Sequence, residues 1–356
     1  MSGDDRWEVG AAYPLLLPNG EGLVEPAGES RLFGSGRQAV RALLEFGRRE
    51  YGWTAVHVPA YYSPSVVPHI ADLLPVRRYD SGPLGPFPQP RAGPSDVVIA
   101  VSYFGAPPVL PATAAALVVD VTHDPTAPWL DRLRADYLFA SLHKTLPLPD
   151  GGLLWSGGGR PLPATVPPTD RHLATVSRIL AAMCLKAAYL TGAPVRKEQY
   201  LPLYTAGLAE LGASTVSGIS DFSREALRIL PAALLRRRRI ENAEELALGL
   251  PDLAGVRVHV RTFGVVLEFD SAGRRDAVRQ GLLGRSVYPA VLWELSPQDV
   301  PPHQLDLSRR LLHLHTDARW SRDDMRRVAA IVRELCERSS DCPTRLAPAG
   351  SEAARL

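Results

Sequence analysis

Two runs of sequence decide how this chain is read: Ala116-Leu117-Val118-Val119-Asp120-Val121-Thr122-His123 and Tyr137-Leu138-Phe139-Ala140-Ser141-Leu142-His143-Lys144. Each is apolar at first and turns polar at its C-terminal end, and Gly151-Gly152 leads into a third apolar run. Short apolar runs without strict alternation mark strands buried on both faces, as in a parallel sheet covered by helices. Ligands of such sheets bind beyond the C-terminal strand ends. An acid, Asp120, and a lysine, Lys144, are therefore expected to project into one crevice, with His123, Ser141 and His143 beside them.

The pattern repeats outward. Candidate strands Ala55–Val58, Val76–Tyr79 and Val97–Ser102 precede these runs and Gly152–Ser156 follows; a helical stripe (Val40, Leu43, Leu44, Tyr51) occupies Gly36 to Tyr51. Residues 31–220 thus read as an α/β unit, a mostly parallel sheet with helices on both faces in three αβα layers. Residues 1–30, punctuated by Gly and Pro, read as an irregular arm, and 82–94, with five prolines, as a connector. Long helices are expected at Arg171–Leu190 and Phe222–Leu248, the second kinked or divided at Pro231. Residues 221–340 hold that second helix and a small C-terminal α+β unit. Its expected elements are strands Val256–Val260, Val265–Phe269, Val287–Leu295 and Leu311–Thr316, with helices Arg274–Leu283 and Arg322–Arg338. The tail 341–356 is expected to be disordered.

Composition narrows the function. The 356 residues are 46% hydrophobic and 22% charged, and 40 basic against 38 acidic side chains leave +2. No global field exists to grip nucleic acid or anionic lipid, and neither partner is expected. The run Arg236–Arg239, followed by Glu241, Glu244 and Glu245, reads as a solvated helix face. The acidic start lacks the order of a signal peptide, and Lys186 interrupts the longest apolar run, Ile179–Leu190. The three cysteines form no paired metal-ligand spacing, so a reduced, cytoplasmic protein is expected. Only Lys144, Lys186 and Lys197 among the 40 basic residues are lysine. Guanidinium stays protonated, whereas an amine can lose its proton and form a Schiff base. Lys186 and Lys197 read as incidental survivors; Lys144 is singled out by its neighbours.

Gly34-Ser35-Gly36-Arg37-Gln38-Ala39 matches a dinucleotide fingerprint, but a polar stretch precedes it and the next strand ends in Val58-Pro59-Ala60 without an acid. What remains is a tight turn entering a helix N-terminus suited to a phosphate. His313-Leu314-His315-Thr316-Asp317 could place metal ligands on one strand face, yet a structural role is favoured and no metal is expected.

An amine, a strand-end carboxylate, hydroxyl and imidazole donors and a phosphate-ready helix start together suit pyridoxal 5′-phosphate. The lysine would form the Schiff base and the carboxylate would keep the pyridine nitrogen protonated. Over residues 30 to 335 the chain resembles the fold-type-I pyridoxal-phosphate enzymes (aspartate-aminotransferase-like), nearest to the DegT/DnrJ/EryC1/StrS aminotransferases. Ser35-Gly36-Arg37-Gln38-Ala39 stands in place of that family's phosphate loop, with Arg37 where a threonine is usual. Val58-Pro59-Ala60-Tyr61-Tyr62 resembles the segment whose aromatic ring, Tyr61 or Tyr62 in this chain, stacks on the cofactor. Val101-Ser102-Tyr103-Phe104-Gly105 resembles a further strand-end segment. The resemblance makes Asp120 the pyridine-nitrogen partner, places His123 by the ring hydroxyl, and makes Ser141, His143 and Lys144 the Schiff-base segment.

It implies an aminotransferase with a small-molecule amino donor and a carbonyl acceptor in a biosynthetic pathway, acting as a homodimer. Decarboxylation, elimination or replacement on an amino acid is the alternative, and a non-catalytic ligand-binding relative a third reading. Arg319, between the last strand and last helix, is the expected anchor for a substrate carboxylate, against pairing with Asp323 or Asp324.

Overall fold

Seven strands form one sheet in the computed structural model of the chain, which describes residues 6–10, 12–16, 20–23, 29–84, 90–212, 215–298 and 300–340. Their spatial order is Ser30–Phe33, Gly152–Ser156, Tyr137–Ser141, Ala116–Asp120, Asp96–Val101, Ala55–Pro59 and Val76–Tyr79. The last five run parallel; Gly152–Ser156 is antiparallel to both of its neighbours. Side chains alternate between two cores, as strand geometry requires. Val97, Ile99, Val101 and Val118 face one core, with Ala39, Val40, Leu43 and Leu44 of the helix Gly36–Glu50. Val98, Ala100, Leu117 and Val119 face the other, with Leu227 and Leu230. Complete burial of a Leu or Val contributes about 1.5–3 kcal/mol, so both faces stabilise the sheet. These are the three layers expected.

Helix Gly36–Glu50 begins where Ser35 accepts a hydrogen bond from the Gln38 N–H at 3.3 Å. It ends at Tyr51, before Gly52 at φ +67°, a conformation glycine adopts without strain. Strand Ser30–Phe33 precedes its Gly-Ser-Gly turn. The polar Ser30 and Arg31 concealed that strand, which is an edge strand with three half-buried residues.

The second unit has a three-stranded antiparallel sheet in the order Leu311–His315, Gly264–Phe269, Val256–Arg261. Helices Ala232–Leu248 and Arg322–Ser340 supply Leu246, Met325, Val328 and Val332 to its core. The helix expected at Phe222–Leu248 is divided into Asp221–Ile229 and Ala232–Leu248, with Pro231 at the break. The expected strand Val287–Leu295 shrinks to Val287–Tyr288, which pairs in parallel with Val9–Gly10 of the arm. Three helices among the described residues were unforeseen: the one-turn Val67–Ile70, Lys197–Leu211, whose start looks polar and which contains Pro202, and Pro302–Arg310.

The arm is ordered by burial of Glu8. Its carboxylate lies 2.7 Å from Lys186 Nζ and 2.9 Å from Lys197 Nζ. Lys186, with a side chain only 2% exposed, also donates to the Ala12 carbonyl at 2.7 Å. Neither lysine is incidental. Helix Asp170–Leu190, which carries Lys186, is long and apolar enough to cross a membrane, and a third of its most apolar stretch is buried within the protein. The tail 341–356, most of 1–5 and the arm around 17–19 and 24–28, and 85–89 of the connector lie outside the described residues.

Candidate active site

Asp120 ends its strand opposite Val101 on one side and Phe139 on the other. Lys144 closes the one-turn helix Leu142–Lys144 that follows the neighbouring strand. The expected neighbourhood of acid and lysine is therefore present at the C-terminal edge of the parallel sheet. Asp120 is 8% exposed. Its Oδ2 accepts the Tyr62 hydroxyl at 2.8 Å and its Oδ1 the Thr122 N–H at 3.0 Å. Burial raises the Asp120 pKa, and the Thr122 and Tyr62 donors only partly oppose it. Thr122 also ties the two loops together, its hydroxyl accepting the Ser141 N–H at 3.1 Å.

Lys144 is exposed by its accessible surface, yet protein atoms crowd its side chain closely. That desolvation, with the positive charge of Arg37, lowers its pKa. Among the described residues no hydrogen-bond or ion-pair partner holds its amine. Lys186 and Lys197, by contrast, are committed to Glu8. His143 is pushed well below its ordinary pKa by burial, Lys144 and Arg37, and its Nδ1 lies 3.2 Å from Ser141 Oγ.

The turn before helix Gly36–Glu50 abuts these residues. A Cβ on Gly36 would stand 2.9 Å from Ser141 Cβ, so only glycine lets the helix start approach the lysine segment this closely. Gly151 N–H bonds the Gly34 carbonyl at 2.9 Å and completes the contact. Ser35 is buried and caps the helix. Arg37 lies against Gly212, and among the described residues no carboxylate pairs with it; burial lowers its pKa.

Aromatic side chains wall the crevice. Tyr61 donates to the Leu292 carbonyl at 2.8 Å and meets Trp293 at 6.1 Å between ring centroids. Tyr62 meets the same indole edge-on at 6.3 Å. His123 is buried, stacks on Phe263 at 4.3 Å, and its Nδ1 accepts the Phe104 N–H at 3.0 Å. Burial, Lys144 and Arg239 lower its pKa to about 3, so it is a neutral ring with the proton on Nε2. Phe104 holds a left-handed backbone at φ +54°, an uncommon conformation for a bulky residue. Trp293 was not anticipated; the expected strand across Val287–Leu295 hid it in an element that does not form.

His313 is buried, His315 half-buried and Asp317 buried, and no cluster of three or more potential metal ligands occurs among the described residues. Arg319 departs from expectation. Its guanidinium grips Asp317, Nε to Oδ1 at 2.6 Å and Nη2 to Oδ2 at 2.8 Å, and donates to the Ala12 carbonyl at 2.8 Å. It stacks between Tyr13 and Trp320 at 4.2 and 4.3 Å. The carboxylate beside it is the chain's own Asp317, two residues upstream, and not that of Asp323 or Asp324. The Arg236–Arg239 run is also corrected: Arg237 and Arg238 are exposed, while Arg239 is buried and Arg236 pairs with buried Asp124. The signal was present, because Arg239 falls on the stripe Ala232, Asn242, Ala243, Leu246 that the helix buries.

The seven-stranded order with its one reversed strand, and the small antiparallel unit after it, define the fold type I of pyridoxal-phosphate enzymes. Solved structures share it. PseC of Helicobacter pylori, an aminotransferase involved in pseudoaminic acid biosynthesis, matches with a TM-score of 0.60 at 11% identity, over 93% of this chain and all of its own. The pyridoxal-phosphate form of Spr1654 from Streptococcus pneumoniae, assigned as a sugar aminotransferase, matches at 0.58 and 12% identity, over 94% of this chain and all of its own. DesI, solved with its TDP-sugar product, matches at 0.54 and 18% identity, over 87% of this chain and 81% of its own. No family model and no curated protein matches the sequence.

Proposed function

We propose that this chain is a pyridoxal-phosphate-dependent aminotransferase of small molecules, acting in a biosynthetic pathway. One observation carries the reading. Lys144, the one lysine whose amine has no partner among the described residues, and a buried strand-end carboxylate, Asp120, end neighbouring strands beside a helix N-terminus. The donor set fits the cofactor. The amide groups at Gly36 and Arg37, the Arg37 guanidinium, Ser141 and His143 suit its phosphate, with Ser35 holding the helix start. Each Asp120 oxygen has a lone pair left beyond its Tyr62 or Thr122 bond, enough to receive a ring N–H. Tyr61, Tyr62 and His123 border the space beside Asp120.

Bound there, pyridoxal phosphate supplies an aldehyde for amine capture and an electron-withdrawing ring. Asp120 keeps a proton on the ring nitrogen. Lys144 Nζ, its pKa lowered by burial and Arg37, takes the proton from the substrate carbon and returns it. His123 and His143 remain neutral and present N–H groups without adding charge. Trp293, with Tyr61 and Tyr62, limits water at the crevice.

A sugar or amine carbonyl compound is favoured as acceptor over an amino acid's oxo partner, because Asp317 fills the Arg319 fork. The neighbours named for sugar amination support the same choice. A homodimer is proposed with the fold; an active monomer in sedimentation would contradict it. Cys184 and Cys336 are in no disulfide among the described residues, in keeping with a reducing compartment such as the cytoplasm. The deciding experiment incubates the cofactor-loaded protein with amino donors and no acceptor. Transamination releases one equivalent of oxo acid per chain. Carbon dioxide or ammonia in its place indicates decarboxylation or elimination.

A further inference from the structure

We propose that Arg236 and Arg239 are positioning residues of this site, holding the Asp120 loop and the Lys144 turn at a fixed separation from one face of helix Ala232–Leu248. The inference rests on the proposed roles of Asp120 and Lys144. Residues three apart share a helix face, and Arg237 between them points away, its side chain 67% exposed.

Arg236 closes a fork on Asp124, with Nε to Oδ1 at 2.9 Å, Nε to Oδ2 at 3.0 Å and Nη2 to Oδ2 at 2.9 Å. The Asp124 side chain is 1% exposed. Its backbone N–H bonds the Val121 carbonyl at 3.0 Å, closing the turn that leaves Asp120 and carries His123. Arg239 Nη2 donates to the Thr145 carbonyl at 2.6 Å. Thr145 caps the Leu142–Lys144 turn through its own N–H to the Leu142 carbonyl at 3.0 Å, so this bond anchors the residue next to Lys144. At the other end the Arg239 carbonyl accepts the Thr316 hydroxyl at 3.1 Å, joining the bracket to the strand Leu311–His315.

The sheet ladder cannot do this work. Pairing between the two strands ends at Asp120 and Phe139, with one last bond from the Val121 N–H to the Phe139 carbonyl at 2.9 Å, and reaches neither Asp124 nor Thr145. Beyond it, Thr122 to Ser141 and the two arginines tie the loops. Lysine could not replace Arg236, because a single ammonium does not span two carboxylate oxygens in a fixed plane. A consequence follows for Lys144. The protein atoms around it and the Arg37 charge lower its pKa in full only while its turn is held in place, so releasing Thr145 or Asp124 lets the amine move away from them and regain the basicity of an ordinary lysine. Lys144 faces Arg37 from helix Gly36–Glu50, His143 of its own turn, His123 of the Asp120 loop and His315 of the strand Leu311–His315. The histidines are neutral, which leaves Arg37 as the charge acting on it among these groups.

The test acylates the cofactor-free protein with an amine-directed reagent across a pH series and reads Lys144 by mass spectrometry. Lys186 and Lys197 serve as internal references. Arg236→Gln and Arg239→Gln are compared with Arg237→Gln, which removes the same charge from the outer face. The expected result is an upward move of the Lys144 midpoint in the first two and none in the third. Affinity for pyridoxal phosphate should fall about tenfold or more alongside, the scale of a lost charge-assisted hydrogen bond. An unmoved Lys144 midpoint in folded Arg236→Gln and Arg239→Gln, or an equal shift in Arg237→Gln, overturns the proposal. Should the glutamine variants fail to fold, Arg236→Lys keeps the charge without the fork. The midpoint must still rise there, and an unmoved one overturns the proposal. Because the labelling needs no cofactor, failure of the wild-type protein to bind pyridoxal phosphate removes the proposed function and leaves the positioning test decided on its own.

Discussion

Replacing Asp120 by asparagine removes a charge and one acceptor while keeping the side chain's shape. In the native protein Oδ2 receives the Tyr62 hydroxyl at 2.8 Å and Oδ1 the Thr122 N–H at 3.0 Å. An amide can leave its oxygen on the Thr122 N–H and turn its NH₂ to Tyr62, whose hydroxyl rotates to accept. The fold should therefore survive with about 1 kcal/mol lost. The negative charge has no such substitute. A hydrogen bond to a charged group contributes about 1.5–3 kcal/mol and a neutral one about 0.5–1.5. The difference, about 1–2 kcal/mol, shifts the proton on the cofactor's ring nitrogen about five- to thirtyfold, and kcat should fall at least as far. The assay pairs a cofactor titration and circular dichroism with single-turnover release of oxo acid. A folded, cofactor-loaded Asp120→Asn protein that turns over within about twofold of wild type would refute the assignment, since an effect that small is below the smallest difference worked out above.

Borohydride treatment of the cofactor-loaded protein should fix the label on Lys144, and Lys144→Arg should be inactive; label on Lys186 or Lys197 counts against the site. Glu8→Gln should cost about 3 kcal/mol, the lower end for breaking a buried ion pair because Lys197 is partly exposed, read as a denaturation midpoint. The two lysines outweigh burial and hold the Glu8 carboxyl below its ordinary 4.5, so the contribution is complete above that pH and fades as pH falls through the lowered value. Wild type and Glu8→Gln should accordingly converge in acid, and a constant gap down to low pH contradicts the pairing. Arg319→Ala leaves the buried Asp317 carboxylate unpaired and should cost about 3–5 kcal/mol with little change in KM for the amino donor. A large KM effect without loss of stability would return Arg319 to the substrate.

The sheet and the placement of Asp120 and Lys144 at neighbouring strand ends were legible because both depend on local patterns. A buried parallel strand must be apolar throughout, and a functional side chain at its end must interrupt that run. The cross-chain partners were not legible. Tyr62 reaches Asp120 across 58 positions of sequence, Arg236 reaches Asp124 across 112, and Arg239 reaches Thr145 across 94. No window of sequence contains both members of such a pair. Trp293 was lost for a different reason. The apolar run from Val287 looks like a strand, but its ladder stops at Tyr288, a single bridge joins Ala290 to His313, and Trp293 beyond it packs against Tyr61 and Tyr62.

The three lysines sharpen the distinction between what composition reveals and what geometry decides. In a chain that uses arginine almost everywhere, each lysine sits where a compact ammonium does something a planar fork would not. Lys186 and Lys197 converge on one carboxylate and fit beside each other around it, with Lys186 almost wholly enclosed; two guanidinium groups in that space would each demand several acceptors. Lys144 has no acid partner among the described residues, and burial and Arg37 lower its pKa. Rarity therefore marks all three as constrained, and the lack of a partner among the described residues separates Lys144, the amine proposed to react, from the two structural ones. The same criterion reads Arg319 and Arg37 in opposite directions. Arg319 is occupied by Asp317, while Arg37, with no carboxylate beside it among the described residues, is the one proposed to meet an anion brought to the helix start.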